Sequence, residues 1–237
     1  MSASLLIAEI REALEANADE VKAPQMQRYM KSAMPYRGVQ SPAVKKICTA
    51  TFRKHPLDGF DSWRDTILAL WREAVYREER YVALALAAAK AYRPYRTLQA
   101  LAMFEEMIVT GAWWDFVDDI SSRLGELLLR YPREMKTHMS DWARSGDMWK
   151  RRASIICQLN AKDRTDVQLL LNNIELNLND EEFFIRKAIG WALRQHAKTE
   201  PETVIDFVHQ HRDRMSPLSK REALRILLKD GAIAAMP

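Results

Sequence analysis

RRASII, residues 151–156, is one copy of a pattern that the chain repeats. RKAIGWAL (186–193) and REALRILL (221–228) are built the same way: an arginine opens a run of apolar residues at helical spacing. The three copies lie about 35 residues apart, and RYVALAL (80–86) lies about twice that far upstream of the first, so one slot is missing. The helix WWDFVDDI (113–120) fills it. A period of roughly 35 to 45 residues with two helices per unit is the mark of stacked helix pairs. Each pair has one apolar face to bury, so neighbours must stack to close a core.

Working outward, the chain reads as helix after helix. Residues 4–20 form a first helix, with Leu5, Ile7, Ile10 and Leu14 on or near one face. Pro24 marks the first turn of the next. The segment MPYRGVQSP (34–42) is turn chemistry, and Ser41 before Pro42 reads as an N-cap. Gly111 is the expected stop of the helix before the tryptophans. No strand is predicted. The expectation is an all-α, HEAT-like α-solenoid with a concave basic groove, one repeat domain over 1–237. Residues 1–60 complete the solenoid and 61–237 form the helix-pair repeats.

Composition agrees with a globular chain: of 237 residues, 48% are hydrophobic, 29% charged and only 7 are glycine. Lysine and arginine number 36 against 32 acids, a formal charge of +4, which permits a polyanionic partner without requiring one. The N-terminus carries acids throughout and lacks the basic opening of a signal peptide. No run approaches the roughly 20 apolar residues of a membrane span. Cys48 and Cys157 are far apart and outside any CxxC spacing, which suits a reducing cytoplasm. His55, His138, His196, His209 and His211 are scattered and form no ligand set with Asp115 or Asp118, so neither a metal nor another cofactor is expected.

The chemistry concentrates in GAWWDFVDD, Gly111 to Asp119. On a helix, Trp114 and Asp118 share a face one turn apart, and Asp115 lies near it. A carboxylate beside a flat π surface suits a flat cation, such as an alkylated purine. The plainer alternative is a buried tryptophan among solvated acids. Lys187, Trp191 and Arg194 also share one helical face, and an aromatic between two cations suits a nucleic-acid groove. Arg151 and Arg152 stand together at a helix start, where arginines also make inter-helix salt bridges.

WWDFVD, WKRRASI, RKAIGWALRQ and RYMKSAMPYRGVQSP, in that set of positions, resemble the corresponding motifs of the AlkD-type DNA alkylpurine glycosylases, a HEAT-like-repeat family. The resemblance runs from about residue 24 to about residue 230. It implies hydrolysis of the N-glycosidic bond of N3- and N7-alkylated purines in duplex DNA, by a monomer, without a cofactor and without a closed pocket for a flipped base. It places the catalytic carboxylate on Asp118 and the aromatic walls on Trp114 and Trp191. It places a backbone-gripping arginine on Arg152, and further DNA contacts on Tyr29, Ser41 and Arg194. Lys187 and Lys162 add positive charge. One departure is visible: the family tends to be basic where Asn160 stands, although Lys162 keeps a charge nearby. The rival reading is a non-catalytic HEAT-like scaffold that binds DNA or protein.

Overall fold

Apolar residues recurring at three and four positions, with proline placed at first turns, leave this chain little choice but helix. A computed structural model describes residues 2–233. Among the described residues there are thirteen α-helices, three short 3₁₀ turns and no strand. The fold is all-α and HEAT-like. The described residues fall into two compact units divided between Met103 and Phe104.

The first unit holds α1 (Ser2–Ala16), α2 (Lys22–Met30), α3 (Ser41–Lys54), α4 (Phe60–Arg72) and α5 (Arg77–Ala88). In α1 the buried stripe is Leu6, Ile10 and Leu14, at i, i+4 and i+8. Leu5, expected inside, faces solvent, because it sits one position off that stripe. Trp63, Ile67, Leu70 and Trp71 of α4 supply the largest buried side chains. Burying each such residue contributes about 1.5–3 kcal/mol relative to leaving it exposed. The turn between α2 and α3 is built on Gly38, whose φ of +85° and closeness to the Asp19 carbonyl exclude a side chain. The buried Glu78 carboxylate accepts the N–H groups of Arg37, Gly38 and Val39 at 3.1, 2.9 and 3.1 Å, so the loop's backbone is satisfied without a strand partner. Ser41 is not the N-cap. The Gln40 carbonyl accepts from Ala43 and Val44 N–H, which makes Ser41 the first helical residue and Gln40 the boundary.

α6 (Leu101–Gly111) begins in the first unit and ends in the second. The rest of the second unit is α7 (Trp114–Arg130), α8 (Pro132–Ala143), α9 (Met148–Ile156), α10 (Val167–Glu175), α11 (Phe183–His196), α12 (Pro201–Gln210) and α13 (Pro217–Lys229). Helices α7, α9, α11 and α13 pack in succession, each on the next. α8 lies against α7, α9 and α10, and α12 against α11 and α13, giving a second layer of helix pairs. The repeated arginines take equivalent places: Arg151, Arg186 and Arg221 all lie in the first two turns of their helices. Ile155, Ile156, Ile174, Ile185, Ile189, Leu193, Val204, Val208 and Leu224 form the core between the layers. Asp147, Asp166 and Ser216 cap α9, α10 and α13 through their side chains, each contributing about 1 kcal/mol.

Candidate functional site

The approach to α7 sets up the site. Gly111, the expected helix stop, stays in α6, and Ala112 takes the left-handed conformation instead, with φ +44° and its N–H on the Ile108 carbonyl. An alanine held there costs on the order of 1 kcal/mol. Trp113 is then extended and stands at the N-cap position, and the helix starts only at Trp114. The two tryptophans therefore part company. The ring of Trp113 packs on Trp149 of α9 at 6.2 Å and on Phe184 of α11 at 5.5 Å. Trp149 and Phe184 close the triangle at 5.1 Å. This cluster was not foreseen, since nothing in the spacing of Trp113, Trp149 and Phe184 along the chain relates them. Trp114 is left half-buried, one turn before Asp118.

Asp118 lies on α7 with 17% of its side chain exposed. Arg152 of α9 holds it from the side in a two-toothed grip. Its Nε donates to Oδ1 and its Nη2 to Oδ2, both at 2.8 Å. The remaining Nη1 donates to the Phe184 carbonyl at 2.6 Å. One buried guanidinium thus ties α7, α9 and α11 together, and its planar fork fixes the plane of the carboxylate. Burial raises the Asp118 pKa above the ordinary 3.8; the Arg152 hydrogen bonds and charge pull it down, and the nearby Asp115 pushes it up again. Asp119 faces solvent. The guanidinium also has a long-range effect: an unpaired carboxylate would repel phosphodiesters, and Arg152 cancels that repulsion. Arg152 was expected to grip DNA; its side chain is only 4% exposed and its donors are engaged within the protein.

On α11, Lys187, Trp191 and Arg194 are all half-buried and follow one another along the helix. Both cations meet a residue that sequence reading missed, Glu222 of α13: Lys187 Nζ lies 2.9 Å from Oε1 and Arg194 Nη1 lies 2.5 Å from Oε2. No local pattern in REALRILL marks Glu222 as their partner. Arg151 pairs with Asp180 at 2.9 Å, the inter-helix role open to arginines at repeat starts. Lys162 is exposed with φ +55°, and Asn160 beside it is exposed too. Tyr29 (78% exposed) and Ser41 are surface residues of the first unit. Trp114 and Trp191 make no ring contact with each other among the described residues. No cluster of three histidine, cysteine, aspartate or glutamate side chains suited to a metal occurs among the described residues. Cys48 and Cys157 are buried and unpaired, and no described helix is long and apolar enough to cross a membrane.

A helical-repeat fold with a clamped carboxylate, basic side chains and aromatic side chains does not by itself fix a function, and comparison with known proteins gives the family. The chain belongs to the family of DNA alkylation repair enzymes, whose profile matches residues 10–227. Among solved structures it is similar to a predicted DNA alkylation repair enzyme from Enterococcus faecalis, with a TM-score of 0.81 and 29% identity over 90% of this chain and 98% of that one. No curated protein matches it.

Proposed function

We propose that the chain is a DNA glycosylase that removes cationic N3- and N7-alkylated purines, such as N3-methyladenine and N7-methylguanine, from duplex DNA. The observation that carries this reading is the Asp118 carboxylate, partly exposed and held in a fixed plane by Arg152. Alkylation at N3 or N7 leaves the purine positively charged, so no general acid is needed to make it leave. When the C1′–N9 bond breaks, its electron pair neutralises the base and a positive sugar remains. Asp118 stabilises that cation electrostatically and orients a water molecule. The water oxygen bonds to C1′ and its proton passes to the carboxylate or to solvent. Trp114 and Trp191 offer indole faces, each attracting a cation by about 0.5–2 kcal/mol, which favours charged lesions over normal bases. Lys162, Lys187 and Arg194 would meet the DNA on the second unit, and Tyr29 and Ser41 are proposed DNA contacts of the first unit. Arg152 acts through Asp118 in this scheme and is a positioning residue.

The test is product analysis. Methylated duplex is incubated with the protein and the released bases are separated by chromatography. Free N3-methyladenine and N7-methylguanine, with alkali-labile sites left in the strand, are expected. Intact bases on DNA that is nevertheless bound would make the chain a non-catalytic scaffold.

A further inference from the structure

Glu222 is buried, with 10% of its side chain exposed, yet it sits on the face of α11 that carries Lys187, Trp191 and Arg194. Its placement is built into the packing. Gly190 lets α13 approach α11 so closely that a Cβ there would lie 2.5 Å from the Glu222 Cβ and 2.9 Å from the Ser219 carbonyl. The Ser219 hydroxyl donates to the Arg186 carbonyl at 2.9 Å and pins the same contact. The carboxylate is thereby wedged between Lys187 on one side of Trp191 and Arg194 on the other, one oxygen to each. Arg225 of α13 adds a third positive charge nearby.

We infer that Glu222 is a specificity-determining counter-ion, which holds the Lys187 and Arg194 charges back from undamaged DNA. This rests on the reading above, that α11 faces DNA. A phosphate reaching either cation competes with a carboxylate that is already in contact and already desolvated. Pulling both cations away would strand a buried anion, so the cations stay tethered and only the donors not spent on Glu222 reach outward, out of three on lysine and five on arginine. Binding to arbitrary duplex scales with the number of phosphates fully neutralised, so a tethered pair lowers it. The same tether fixes the two charges on either side of Trp191, so the face is preformed where an attractive base lies against the ring.

The experiment measures affinity for an undamaged duplex across a salt series. Glu222→Gln keeps the shape and removes the charge. It is expected to tighten binding about 3- to 10-fold at low salt and to steepen the log–log salt slope by about 1. Unchanged or weaker binding with an unchanged slope would overturn the inference and leave Glu222 as a packing residue. If the variant loses cooperative melting, Glu222→Met, apolar and of similar length, decides instead. The same tighter binding and steeper slope are expected of it, and unchanged affinity with an unchanged slope ends the proposal. Both readouts are independent of base release. A protein that excises nothing but gains duplex affinity with Glu222→Gln would sink the glycosylase reading alone; one that excises normally and shows no gain would sink this inference alone.

Discussion

Asp118 and Glu222 are both largely buried carboxylates in the second unit, both bound to cations from a neighbouring helix, and they titrate in opposite directions. Asp118 has one partner, Arg152, and burial outweighs it, so its pKa rises. At Glu222 burial also pushes upward, but Lys187, Arg194 and Arg225 together win, and its pKa falls below the ordinary 4.5. The balance between burial and the charges around each carboxylate decides the sign, and Asp115 adds to the rise at Asp118. One acid is balanced and left with spare lone pairs facing partly outward, which suits a group that meets a developing cation. The other is outnumbered, which suits a counter-ion. Their stability contributions run oppositely with pH. The raised Asp118 disfavours its own ionisation in the fold, so its contribution is present at low pH and lost as pH rises through its folded value. The depressed Glu222 contributes above its unfolded value and is lost as pH falls through the folded one.

The sharpest way to break this contrast is Asp118→Asn. Release of N7-methylguanine, followed by chromatography, should fall by at least about 100-fold while affinity for the duplex is kept; equal release rates would remove Asp118 from the chemistry. Next comes Arg152→Ala, which leaves Asp118 as a buried carboxylate without its partner. Urea unfolding should show a loss of about 3 kcal/mol. Full stability with a shallower salt slope for duplex binding would make Arg152 a phosphate grip instead. Gly190→Ala inserts a methyl where α11 and α13 touch, and a loss of about 1–3 kcal/mol in the same unfolding assay is expected, because the helix backbone and not a flexible tip is in the way. The mildest test is the pH profile. In the proposed mechanism Asp118 acts ionised, so kcat/KM should climb with pH through a value above 3.8 and then level off, without the descending limb of a general acid. Arg152→Lys weakens the fork and should move that limb to higher pH. Glu222 titrates below its ordinary 4.5, and a limb that moves with Glu222→Gln instead of Arg152→Lys would reverse the two assignments.

Much of this was legible in the residues. The recurrence of RRASII, RKAIGWAL and REALRILL gave stacked helix pairs, because a helix with one apolar stripe is stable only against another. Trp114 and Asp118 at i and i+4 could be placed on one face without coordinates, and so could Lys187, Trp191 and Arg194. Helix ends were less legible. Gln40 rather than Ser41 bounds α3, and Ala112 rather than Gly111 turns the chain, since a carbonyl some residues away settles each boundary.

What the sequence determined by itself was periodicity and therefore faces: which side chains travel together on one helix, and that helices must stack. Only the tertiary structure decided the partners. That Arg152 closes on Asp118, that Trp113 joins Trp149 and Phe184, and that Glu222 sits between Lys187 and Arg194 are meetings between helices. They depend on the closeness and rotation of packed backbones, such as α13 against Gly190. The physical reason is range: helical spacing is set by hydrogen bonds four residues long, whereas charge pairing across about thirty residues of chain is set by how the core fills.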